Sequence, residues 1–131
     1  MLNIVDNLVV HVYLITTDIL LKENEIKSQL LSLSKAQWLY VLSSLAHQLT
    51  VCARQAYLNP DSAESLAKLR TFNELEHIVT GQLAHIVADQ KRYSDSDFVD
   101  IVFEKARSEN CLKDLQWAFA FSLQSLMQEP H

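Results

Sequence analysis

A chain of 131 residues that contains one glycine and two prolines has few ways to turn. Average usage is about 7% glycine and about 5% proline. Phosphate-cradling loops of the G-x-x-x-x-G-K-[ST] or G-x-G-x-x-G type need several glycines, so they are excluded. Two-residue hairpins, collagen-like repeats and flexible linkers fail on the same count. What remains is an all-α domain spanning residues 1–131, a compact bundle of about five helices with short connections.

Composition agrees with a packed domain. Hydrophobic residues make up 49% of the chain and charged residues 21%, enough to build a core and too apolar for disorder. The net charge of −5 is mild. The largest basic cluster is Lys91-Arg92, which gives a nucleic-acid surface no support. Cys52 and Cys111 form no C-x-x-C pair, so free thiols in a cytoplasmic protein are expected. Leu8 to Leu21 is strongly apolar, but no Lys or Arg precedes Lys22 and Asp18 interrupts the run. That argues against a signal peptide and against a membrane span.

Helix starts carry their own signatures. Ser34-Lys35-Ala36-Gln37 is a capping box, with Leu33 and Trp38 as its hydrophobic staple. Asn59-Pro60 places an N-cap residue before a proline at the first helical position. Ser94 to Asp97 gives a further start, and Asn110 suits a left-handed C-cap. Between these points the apolar spacing is helical. One stripe runs through Trp38, Leu42, Leu45, Leu49, Cys52 and Ala56, and the next through Leu69, Phe72, Leu75, Val79, Leu83 and Ile86. Phe98, Ile101, Val102 and Ala106 mark a shorter helix, and Leu112, Leu115, Phe119, Ser122 and Leu126 the last. The first thirty residues are ambiguous between helix and strand. Val5, Leu8, Val12, Ile15 and Ile19 make a helical stripe, yet Val9 to Thr17 is rich in β-branched residues. Helix is the preferred reading, continuing through Ile26 and Leu30.

Charge is distributed unusually. Between Ala36 and Asn59 only Arg54 is charged, and between Thr71 and Ala88 only Glu74 and Glu76. An outward helix face ordinarily carries Lys and Glu. Opposite the core stripe of the Phe72–Ile86 helix lie Glu74, His77, Gly81, Ala84, His85 and Ala88. Opposite the other stripe lie Tyr40, Ser43, His47, Val51, Arg54 and Leu58. Three arrangements account for this: both helices are central and covered on two sides, or small residues around Gly81 admit a second copy, or the histidines line a pocket.

Catalytic constellations fall short. Glu74-x-x-His77 has the spacing of a di-iron carboxylate motif, but no second copy exists in the chain. A site built on His47, His77, His85 and Glu74 suits a transition metal in donor type, yet His77 and His85 stand about 12 Å apart along their helix. Cys52 lies in a core register. Cys111 lies at a helix start, where exposed amides can lower a thiol pKa, but no histidine lies near it in sequence, so an inert thiol is the favoured reading. Asp95, Asp97, Asp100 and Glu104 lack the glycine of a calcium loop and fit a helix N-terminus. Phe119 and Phe121 cannot both face inward. The expectation is a small non-catalytic regulatory or adaptor protein that binds another protein, as a homodimer through Gly81, Ala84, His85, Ala88 and His77. No cofactor, nucleic acid or membrane is expected. The alternative is a metal- or small-ligand-binding bundle using Glu74, His77, His85 and His47.

Overall fold

The computed structural model describes residues 19–58, 63–90 and 92–128. They form five helices and, among the described residues, no strand: α1 Ile19–Leu31, α2 Lys35–Leu58, α3 Ala63–Val87, α4 Asp95–Ser108 and α5 Leu112–Gln128. The Ile26–Leu30 continuation is helical, with both side chains buried. The ambiguous stretch before it, and the Asn59-Pro60 start, lie outside the described residues.

The capping box forms as its chemistry requires. Ser34 Oγ accepts from the Gln37 amide at 3.2 Å, and Gln37 Oε1 accepts from the Ser34 amide at 2.9 Å. Ser94 caps α4 in the same way, accepting from the Asp97 amide at 3.1 Å. The scarcity of glycine is met at the helix C-termini. Asn110 and Asp89 both adopt left-handed backbone, with φ of 60° and 57°. Each closes a Schellman motif, in which Cys111 N donates to Ala106 O at 2.7 Å and Gln90 N to His85 O at 2.8 Å. Asn and Asp are the non-glycine residues that tolerate this region best. Asn110 was legible from its neighbours; Asp89 was not, because it follows a run with no other break signal.

α2 and α3 make the most extensive helix pair, and α5 packs against α2 from another side. Val41, Leu42, Leu45 and Leu49 from α2 meet Leu75 and Val79 from α3 in a core where each is fully buried. α4 adds Phe98, Val99, Val102 and Phe103, and α5 adds Leu115 and Phe119. Phe103 stacks on Phe119 with ring centroids 5.3 Å apart, and Trp38 meets Phe98 edge-on at 6.0 Å. Phe119 is buried and Phe121 exposed, as helical geometry demands of that pair.

The core stripe of α3 is rotated from the one expected. Leu69 and Leu83 are only half-buried, while Thr71 and Gln82 are buried. α4 packs on that side and makes the difference. Gln82 Nε2 donates to Tyr93 O at 3.0 Å in the segment leading into α4, and Thr71 returns its hydroxyl to Ala67 O. Polar side chains are tolerated where such bonds can form. A similar rotation on α2 buries Val41 and Ala53 and leaves Cys52 and Ala56 half-buried.

Two ion-pair links fix helix directions. Arg107 of α4 grips both carboxylate oxygens of Glu23 on α1 at 2.5 and 2.6 Å, while Lys27 pairs with Asp100. α1 therefore runs antiparallel to α4. Lys105 of α4 pairs with Glu74 of α3, and Gln82 reaches Tyr93 at the other end. α3 is antiparallel to α4 as well. The first turns of α1 and α3 thus lie at the same end of the bundle.

Two stability measurements test this account. Asn110→Val should lower unfolding free energy by about 1–2 kcal/mol, because a β-branched residue is strained at positive φ. Asn110→Gly should stay within about 0.5 kcal/mol of the parent. Phe103→Ala, at the stacked pair, should cost about 3–5 kcal/mol in chemical denaturation.

Candidate interaction surface

The two charge-poor helices are not covered on both sides by the described elements. On α2, Ser43, His47, Arg54 and Leu58 are exposed, with Tyr40 and Val51 half-buried. On α3, Leu66, Arg70, Asn73, His77 and Ala84 are exposed, and Ala88 just beyond the helix is exposed too. The arrangement in which both helices sit centrally therefore does not hold among the described residues. The reason is topological: α3 has α2 and α4 as its neighbours, and both meet it on its inner half.

At about 100° per residue, Leu66, Arg70, Asn73, His77, Gly81 and Ala84 fall within one sector about 80° wide. They make a single strip along the whole of α3. Its two halves differ in bulk. The N-terminal half is concave and mainly apolar, lined by Leu66, Leu69, Arg70, Asn73, Glu74, His77 and Ile78. Leu66 is 53% exposed there, and Arg70 makes no ion pair among the described residues. The C-terminal half is small, formed by Gly81 and Ala84. A Cβ built on Gly81 would meet no atom within 4 Å. The glycine is therefore not required by any close approach inside the fold.

The members of the expected site fall on this strip unevenly. His77, Gly81, Ala84 and Ala88 share the outer face, and His85 is half-buried at its edge. Glu74 is engaged by Lys105, at the border with α4. His47 stands on another helix. Among the described residues, no three side chains drawn from His, Cys, Asp and Glu come together as a metal would need. Glu74, His77, His85 and His47 are thus not assembled into a ligand set. The obstacle is the eight-residue spacing of the two histidines together with the ion pair that holds Glu74.

The sequence pattern had not singled out Leu66, Arg70 and Asn73 on the strip, nor Ile78 beside it. Leu69 had been assigned to the core stripe, and it both touches the core and lines the concavity. Carrying the helical wheel toward the N-terminus of α3 would have found Leu66, Arg70 and Asn73, whereas Ile78 stands about 100° round the helix from His77.

Both cysteines are free thiols. Cys52 is half-buried and its pKa is raised, first by burial and then by Asp114. Cys111 is buried beneath the α5 start, and its thiol is pushed up to about 11, chiefly by burial, with Asp114 and Glu109 adding to it. The amides of the helix terminus do not offset this burial. Leu115 N bonds to Cys111 O, and the thiol itself donates to Glu109 O at 3.5 Å.

Among the described residues no helix is long and apolar enough to cross a membrane. The chain matches no protein-family model, no curated protein and no solved structure.

The raised Cys111 pKa has a definite sign. The native state holds the thiol proton more tightly than the unfolded chain, whose thiol ionises near 9.0. Its contribution is fully present below that value and is lost as pH rises toward about 11. Denaturation curves should show stability falling over this window by no more than about 1.4 kcal/mol per pH unit from this group. Cys111→Ala should flatten that part of the profile, and a disulfide reagent at pH 8 should label Cys111 only on unfolding.

Proposed function

We propose that this protein is a non-catalytic regulatory or adaptor protein of the cytoplasm that acts through protein–protein contact, as a homodimer. The observation that carries the reading is Gly81. A glycine within a helix costs about 1 kcal/mol relative to alanine. Here the fold offers no compensating close contact, since a Cβ would enter open space. The gain is expected outside the chain, where a bare patch of Gly81, Ala84 and Ala88 lets another helix approach closely. Small-residue contacts of this kind are best known in membranes, but the steric argument is general. Two-fold symmetric dimers are the commonest oligomers, which makes a second copy the first partner to consider. His77 and His85 border the patch and supply hydrogen-bonding groups at its rim. Free thiols suit a reducing compartment.

Light scattering at about micromolar concentration should give the mass of a dimer for the parent chain, in the range where stable interfaces associate. Gly81→Leu should return a monomer with an unchanged far-ultraviolet spectrum. Gly81→Ala should stabilise the monomeric fold by about 0.5–1 kcal/mol. A monomeric parent across that concentration range would refute the dimer.

A further inference from the structure

The two halves of the α3 strip differ in bulk in a way that makes the strip complementary to itself. A two-fold dimer needs this property, because one surface serves as both partners. We propose that α3 of one copy packs antiparallel on α3 of a second copy, with the two-fold axis level with Leu75, so that the bulky half of each strip lies on the bare half of the other. The proposal rests on the homodimer reading. It adds the direction and register of the contact, and it gives Leu66 and Arg70 a place in it.

Helix geometry supplies the register. Leu66 and Ala84 are the two ends of the strip, and residue 75 is their midpoint. They stand about five whole turns apart, so they fall on one line of the helix with about 27 Å between them. In an antiparallel pair with its axis level with residue 75, positions equidistant from that residue come to the same height. Leu66, the large exposed residue of the strip, then lies on the partner's Ala84. Arg70 comes within about one residue of the height of the partner's Gly81, and Asn73 comes level with the partner's His77.

Height alone is not sufficient. A two-fold axis lying in the interface keeps each residue on its own side of the seam, so matched positions must also share an azimuth. Leu66 and Ala84 do so at about 100° per residue, and Arg70 and Gly81 differ by only about 20°. The open space beside Gly81, where a Cβ would meet nothing within 4 Å, thus receives the stem of the partner's Arg70. At the centre, the Asn73 amide and the partner's His77 imidazole can exchange a hydrogen bond on each side of the axis. The concavity lined by Leu66, Leu69 and Ile78 is filled by the slim half of the second helix, and its apolar surface leaves water.

Electrostatics favours the same direction. A parallel pair would set every residue beside its own copy. Leu66 would meet Leu66, holding the helices apart where Gly81 and Ala84 face each other. The two Arg70 guanidinium groups, which make no ion pair among the described residues, would also be adjacent. The antiparallel register separates them by about 15 Å of height, beyond the ~8–10 Å over which salt screens exposed charges. It also sets opposite ends of the two helix dipoles side by side.

Disulfide cross-linking reads the register directly. Leu66→Cys and Ala84→Cys proteins, mixed and oxidised, should give a covalent dimer whose linkage mass spectrometry assigns to positions 66 and 84. Either variant alone should give at least ~10-fold less, because equal positions stand about 27 Å apart and a disulfide joins Cα atoms no more than about 7 Å apart. A size exchange gives a second readout by light scattering. Ala84→Leu should return a monomer, and adding Leu66→Ala to it should restore the dimer. Both positions are exposed, so the bundle tolerates the changes. A dominant 66–66 or 84–84 linkage would overturn the antiparallel register, as would a dimer mass without the 66–84 linkage or a size exchange that restores nothing. Those outcomes leave the homodimer standing, whereas a monomeric parent removes both.

Discussion

Everything else in this fold is arranged around the contact between α2 and α3. Two helices of 24 and 25 residues lie against each other through fully buried leucines and valines. At about 25 cal/mol per Å² of apolar surface removed from water, such a seam is the dominant favourable interaction in a small bundle. α5 closes it from the α2 side and α4 from the α3 side. α1 then rests on α4 and α5, fastened to α4 by Glu23–Arg107 and Lys27–Asp100. These ion pairs are partly exposed and contribute about 1 kcal/mol or less each. Their effect is to set register and direction more than stability.

The same contact explains why α3 has a surface to offer. A helix gripped by two neighbours on its inner half must present its outer half to something else. On α3 that half is divided into an apolar concavity near Leu66 and a bare patch near Gly81. The division follows from side-chain size along one helical line, and each part suits a different kind of contact. The histidines stand beside this surface without converging, and Glu74 already holds a lysine. Chemistry that needs several donors at one point has no place to occur among these residues.

Much of the fold was legible in particular residues. Ser34 and Gln37 announced a reciprocal cap, and both hydrogen bonds are present. Asn110 announced a left-handed residue and adopts one. These features depend on atoms within a few residues of each other, so local chemistry suffices. The errors were non-local. Gln82 was not expected in the core, because its partner, the Tyr93 carbonyl, lies eleven residues away and is placed by the entry into α4. At Cys111, read from sequence as an inert thiol, burial outweighs the local amides and raises the pKa. The strip itself was half seen: its small residues stood out, and its bulky half was hidden because Leu69 read as an ordinary core position and Leu66 was not singled out at all.

The sequence by itself determined that this chain is helical, roughly where its helices begin and end, and that one helix carries an odd face. Scarce glycine, reciprocal caps and a period near 3.6 residues are properties of neighbouring residues, and they need no tertiary contact to act. Only the tertiary structure decided which side of that helix is covered. An apolar or neutral face reads the same whether it meets another helix or open solvent. The difference depends on where α2 and α4 approach, and that is set by packing between segments far apart in the chain. With those approaches known, Gly81 changes from a weak point in a helix to an uncovered one.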